Sequence, residues 1–157
     1  MFKSKVLSLG CAAWAAMFFA GSAQGQDGAA AWNGGKLFVP AAASASGSPC
    51  ESALTGDCAS KIKPGKHPVI VFLHGWGGPR SPKTFADTGV IVVAPNSFAS
   101  GAACKPDAQH MANLIRQRHG DVAYAAAQLK KASWADPERL VLAGFSQGVD
   151  AGLWAIG

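Results

Sequence analysis

The sequence predicts an α/β fold in which helices flank a mostly parallel sheet. Three short apolar runs support this prediction, because each has the length and continuous apolar character of a strand buried on both faces. They span residues 68–73, 90–95 and 140–143. Segments with helical patterns lie between them, and the order strand, helix, strand favours parallel pairing.

Residues 1–25 are typical of a secretory signal peptide. Lys3 and Lys5 provide a positive start, residues 6–20 form an apolar segment, and residues 21–23 are small, as a cleavage site requires. The alternatives are a retained membrane anchor or lipidation at Cys11, but the apolar segment is short for a spanning helix. We therefore expect a cleaved leader, a secreted or periplasmic protein, and no stable membrane anchor after cleavage.

Residues 26–65 are predicted to form a linker, an edge strand and a surface loop. Small residues dominate 26–31. The segment 36–40, with three apolar residues after Lys36, ends at Pro40, which is tolerated at strand ends. Residues 41–65 are rich in Ala, Ser, Gly and Pro and show no period of 2 or 3.6, so we expect a loop.

Two cysteines of this loop, Cys50 and Cys58, are expected to form a disulfide, since a leader directs the chain to an oxidising compartment. Cys104 is then either a buried thiol or the partner of a cysteine beyond this sequence. No metal site is predicted, because no second Cys/His pair stands at ligand spacing.

Residues 66–157 are predicted to form the main domain. The strand 68–73 leads directly into a glycine-rich loop, residues 74–78, and a short helix over 82–88 precedes the strand 90–95. A helical region follows over 107–132, with a possible bend at Gly120 and one apolar stripe. The stripe consists of Val122, Ala125, Ala126 and Leu129.

The same helix contains a polar cluster of Arg116, Arg118 and His119. We expect a solvated helix face or an ion pair with Asp121, and a clamp for a substrate carboxylate is the alternative. His74, in the glycine-rich loop, is expected to shape that loop rather than to act as a base.

The strand 140–143 runs into a five-residue segment that matches G-x-S-x-G, with Gly144, Ser146 and Gly148 at the fixed positions. This motif forms a sharp strand-to-helix turn that holds the serine hydroxyl clear of the sheet edge. Glycines flank the serine because strand and helix approach too closely for a Cβ, and the serine itself accepts a strained backbone. We therefore predict Ser146 as a nucleophile.

The G-x-S-x-G segment and the loop 74–78 together resemble the α/β-hydrolase superfamily, in particular its secreted, dienelactone-hydrolase-like and esterase-like members. The resemblance covers residues 66–157 and implies the N-terminal part of an α/β-hydrolase fold. It also implies an oxyanion hole built from the backbone N–H groups of Trp76 and Gln147, with Gly75 allowing close approach of the backbone.

In that family the acid and the histidine of the catalytic triad follow the serine in sequence. Here His67, His74, His110 and His119 all precede Ser146, and the single carboxylate after it is Asp150. We therefore expect a C-terminally truncated chain that lacks the triad Asp and His and is inactive by itself.

Composition excludes several other classes of protein. Hydrophobic residues make up 49% of the chain and charged residues 15%, which is typical of a globular protein rather than a disordered one. The net charge of +5 includes two lysines of the leader, and no basic run has interleaved aromatic residues, so a nucleic-acid partner is not expected.

Two functions follow from these observations. The first is a serine hydrolase that cleaves a carboxylic ester, a lactone or a related acyl bond in a small or polymeric substrate, through an acyl-enzyme on Ser146 and without a cofactor. The alternative is a catalytically inactive, secreted remnant of a hydrolase, or a binding protein. The sequence predicts no oligomeric state.

Overall fold

The computed structural model describes residues 24–101 and 108–156. The first 23 residues of the predicted leader, together with Cys104, lie outside these ranges. The elements in chain order are α1 (Gln24–Asn33), β1 (Lys36–Val39), β2 (Cys50–Ala53), β3 (His67–Leu73), α2 (Lys83–Ala86), β4 (Ile91–Ala94), α3 (Ala108–Lys131), β5 (Ala135–Gly144) and α4 (Gln147–Ile156). A short 3-10 helix, Asp57–Lys61, lies between β2 and β3.

The five strands form one sheet in the order β2-β1-β4-β3-β5. β3 pairs in parallel with β4 and β5, whereas β1 pairs antiparallel with β2 and β4. The α/β class is therefore confirmed, but the sheet is mixed and the prediction of a mostly parallel sheet was wrong. β1 is buried on both faces, so its residues do not alternate as those of many antiparallel strands do, and its direction could not be seen in the sequence.

The N-terminal part is more regular than predicted. The expected linker 26–31 lies inside α1, which packs on α3 so closely that a Cβ on Gly28 would be 2.6 Å from the Cβ of Tyr124. The expected edge strand β1 is interior, because β2 covers its outer side. β2 and the 3-10 helix both form within the segment 41–65, which was expected to be a loop.

Two apolar clusters lie on opposite faces of the sheet. The larger joins the strands to α3, whose continuous helix passes through Gly120 without a break. Of the predicted stripe on α3, three residues are buried: Val122, Ala125 and Leu129. The smaller cluster lies under α2 and consists of Phe38, Phe72, Ala86 and Val92.

Within the described ranges, β5 is the last strand of the sheet and pairs on one side only. Its Val141 is 54% exposed, and Leu153 on the adjoining α4 is 59% exposed. An unpaired strand with exposed apolar side chains is a site at which another chain can add. Among the described residues, no helix combines the length and the apolar character that crossing a membrane would need.

Candidate active site

The turn between β5 and α4 places Ser146 at the carboxyl edge of the parallel strands. β5 ends at Gly144, α4 begins at Gln147, and Ser146 is exposed between them. Its φ is +52°, and it is the only non-glycine residue with a positive φ in the described parts of the chain. Because a side chain in this region of φ/ψ space is strained, the neighbouring structure must impose the conformation.

The contacts of the two motif glycines show what imposes it. A Cβ on Gly148 would lie 2.0 Å from the carbonyl oxygen of Leu73, at the end of β3. A Cβ on Gly144 would lie 2.5 Å from the carbonyl carbon of Gly148. Both distances are far below a van der Waals contact and involve backbone atoms, so the turn can close only with glycine at each position.

The loop after β3 lies directly against this turn. A Cβ on Gly75 would be 2.9 Å from the carbonyl oxygen of Phe145 and 3.2 Å from the Cβ of Ser146. The N–H of Phe145 donates to the carbonyl of Leu73 at 3.1 Å, which continues the pairing of β3 with β5 into the turn. The structure therefore brings Gly75, Gly144, Ser146 and Gly148 together.

The two residues expected to supply the oxyanion hole flank this contact. Trp76 is half-buried and follows Gly75 in a tight turn, which the N–H of Gly78 closes by donating to the carbonyl of Gly75 at 3.2 Å. Gln147 is the first residue of α4. The N–H groups in the first turn of a helix have no carbonyl partner within that helix. The next two amides, those of Gly148 and Val149, already donate to carbonyls of the turn.

His74 is buried and has partners at both ring nitrogens. The N–H of Ser97 donates to its Nε2 at 3.1 Å, so Nδ1 carries the proton and donates to the carbonyl of Gly75 at 2.8 Å. Burial lowers the pKa of His74, and the nearby Arg118 guanidinium lowers it further. The imidazole is therefore neutral and fixes the loop after β3 to the loop after β4.

His67 lies at the other end of the sheet from Ser146. It begins β3, and its Nε2 contacts the carbonyl oxygen of Lys63 at 2.9 Å. Ser146 follows the carboxyl end of the adjacent strand, about 20 Å away at the usual rise of a β-strand. Asp150 is exposed on α4, in the first turn after the serine.

The polar cluster of α3 divides into an exposed and a buried arginine. Arg116 is exposed, and it donates to two groups of its own helix, the carbonyl oxygen of Ala112 and the side-chain oxygen of Asn113. Arg118 is 1% exposed, and its guanidinium donates to the carbonyl oxygens of His74 and Gly75. A solvated helix face was therefore the correct expectation for Arg116 but not for Arg118, which is buried against the loop after β3.

Away from the turn, a disulfide joins Cys50, the first residue of β2, to Cys58 in the 3-10 helix, with the two Cα atoms 5.8 Å apart. Asp57 lies beside the sulfurs, but bonded sulfurs are not thiolate ligands for a metal. A cavity of about 500 Å³ lies between β1 and α2 and is lined by residues such as Phe38, Pro49 and Lys83, none of which belongs to the turn around Ser146.

Comparison of the chain with protein-family models, with curated proteins and with solved structures finds no match.

Proposed function

We propose that this chain contains the nucleophile and oxyanion-hole portion of a serine hydrolase of the α/β-hydrolase type. The observation that supports this most is the backbone of Ser146: an exposed serine with a φ of +52° in a turn that closes only with its two glycines. A strained, exposed serine between a parallel strand and a helix is the arrangement that presents a hydroxyl to a substrate.

The chemistry follows from the neighbours of Ser146. The hydroxyl oxygen attacks the carbonyl carbon of a carboxylic ester or lactone, and the negative charge that develops on the carbonyl oxygen is stabilised by the N–H groups of Trp76 and Gln147. Expulsion of the alcohol leaves an acyl group on Ser146, which water then removes. Two fixed donors of this kind lower the barrier by several kcal/mol.

The reaction also requires a base, since a serine hydroxyl is a poor nucleophile at its ordinary pKa. In the resembling family the histidine follows the serine in sequence. His67 lies at the opposite end of β3, and both ring nitrogens of His74 are already bonded. Neither of these two imidazoles is placed to accept the proton of Ser146. A second candidate function is therefore kept, that of an inactive hydrolase-like remnant or binding protein.

A secreted or periplasmic location forms part of the proposal. The predicted leader supports it, and so does the Cys50–Cys58 disulfide, because disulfides persist mainly in oxidising compartments.

Labelling with a fluorophosphonate probe, in the presence and absence of added imidazole as an external base, tests the proposal. We expect slow labelling of Ser146 that imidazole accelerates, and none in Ser146→Ala. Ser133→Ala is the matched control, because Ser133 is also exposed but lies in an ordinary turn, and it should behave like the unmodified chain. Failure of imidazole to produce any label on Ser146 would favour the remnant, as would a reading frame that ends without codons for a later Asp and His.

A further inference from the structure

The guanidinium of Arg118 lies at the base of the loop that contacts Ser146. Its Nη1 donates to the carbonyl oxygen of His74 at 2.5 Å, and its Nη2 lies 3.4 Å from that of Gly75. The ring of Phe98 packs against the same guanidinium, with its centroid 5.6 Å from the central carbon. One side chain of α3 therefore contacts two successive carbonyls of the loop after β3.

Burial makes Arg118 depend on this contact. Arg118 is 1% exposed, and a buried cation is tolerated only where acceptors surround it. A planar guanidinium with fixed N–H directions orients the carbonyls that it binds, whereas an ammonium group acts as a point charge. The peptide between His74 and Gly75 is thereby held in one orientation.

The orientation of that peptide determines where the next residues lie. Gly75 is in contact with the backbone of Phe145 and with Ser146, and Trp76 follows it immediately. Holding a free loop in one conformation costs backbone conformational entropy, and interactions with α3 offset that cost before any substrate binds. Gln117 binds the neighbouring loop in the same way, through the carbonyl of Ser97 at 2.8 Å.

We propose that Arg118 is a positioning residue, which holds the loop 74–78 in the conformation that places the Trp76 amide beside Ser146. It contacts the loop and not the reacting atoms. The inference rests on the proposed hydrolase function for its catalytic meaning, but the effect of Arg118 on the loop can be measured without any reaction.

Amide hydrogen exchange of the purified chain measures this effect. In Arg118→Gln we expect exchange of residues 75–78 to rise at least tenfold, with exchange within β3 unchanged, and Arg118→Lys should give a smaller rise confined to the same loop. Arg116→Gln is the matched control, as an arginine of the same helix that faces solvent, and its exchange should equal that of the unmodified chain.

Unchanged exchange at 75–78 in Arg118→Gln would overturn the proposal, and so would a rise spread evenly over the domain, which indicates a merely structural arginine. Should Arg118→Gln fail to fold, Arg118→Lys decides by the same two criteria.

Labelling of Ser146 tests the hydrolase function separately from the positioning role of Arg118. With imidazole present, Arg118→Gln should lower the maximal labelling rate at least tenfold while the probe concentration for half-maximal rate stays the same, as expected of a residue that orients an oxyanion donor. Absence of label on the unmodified chain would refute the hydrolase function, and the exchange data would still decide the function of Arg118.

Discussion

Replacement of Gly148 by alanine tests how closely α4 packs against the end of β3 at the turn that presents Ser146. The added Cβ would lie 2.0 Å from the carbonyl oxygen of Leu73, 2.7 Å from its carbonyl carbon and 2.9 Å from the carbonyl oxygen of His74. All three are backbone atoms, so no side chain can move aside and α4 must shift away from β3 by about 1 Å or more. Such overpacking typically costs about 1–3 kcal/mol, and a contact made only with backbone belongs at the upper end.

Part of this cost is offset, because alanine is favoured over glycine in a helix by about 1 kcal/mol. We therefore expect Gly148→Ala to lower the free energy of unfolding by about 2 kcal/mol, or the melting temperature by about 4–8 °C.

Gly152→Ala is the matched control in the same helix. Its Cβ would meet nothing closer than the Leu142 side chain at 3.9 Å, so the helix preference should act alone and raise stability by about 1 kcal/mol. Urea unfolding followed by circular dichroism measures both variants. Equal stability of Gly148→Ala and Gly152→Ala would refute the claim that α4 and β3 are in backbone contact at this turn.

Three further predictions concern stability and association. Replacing Cys50 by Ser and Cys58 by Ala should lower the free energy of unfolding by about 2.5 kcal/mol, since the disulfide closes a loop with a sequence separation of 8. Urea midpoints with and without reductant measure this loss, and a loss below about 0.5 kcal/mol would contradict the prediction. Burial lowers the pKa of His74 and also that of His119, so the unfolded chain takes up protons below about pH 6.5 that the folded chain resists. The contribution of His74 to stability should therefore be complete above that pH and decrease as the pH falls below it, which urea unfolding at a series of pH values measures. His74→Asn should flatten the profile, and a stability that rises as the pH falls would contradict this prediction. Val141→Lys should reduce concentration-dependent association in light scattering, because a charge on the open edge strand opposes strand addition, and undiminished association would place the contact elsewhere.

The elements around Ser146 could be predicted because the constraints there are local. Four apolar residues followed by G-x-S-x-G indicate a strand that enters a tight turn and a helix, and the structure has β5 end at Gly144 and α4 begin at Gln147. The strand 68–73 and the helix 107–132 were likewise predicted nearly to their ends, since each has a strong pattern of its own.

The N-terminal elements could not be predicted because distant parts of the chain stabilise them. α1 is rich in Gly and Ala and has little apolar face, and its helix forms against α3, where Gly28 lies on Tyr124. β2 has only four residues, two of them exposed, and it depends on pairing with β1 and on the disulfide at Cys50. Such tertiary contacts override a weak local preference for helix or strand.

Arg118 shows how a buried charge can be inferred from a helical pattern. The apolar stripe of α3 contains Val122, Ala125 and Leu129, and Arg118 precedes Val122 by four residues, so it extends the same stripe by one turn. Arg116, two residues earlier, falls on another face and is exposed. A charged side chain at a core position must find acceptors within the protein, and the carbonyl oxygens of His74 and Gly75 are among those of Arg118. The position of one arginine in the helical period therefore connects α3 to the loop beside Ser146.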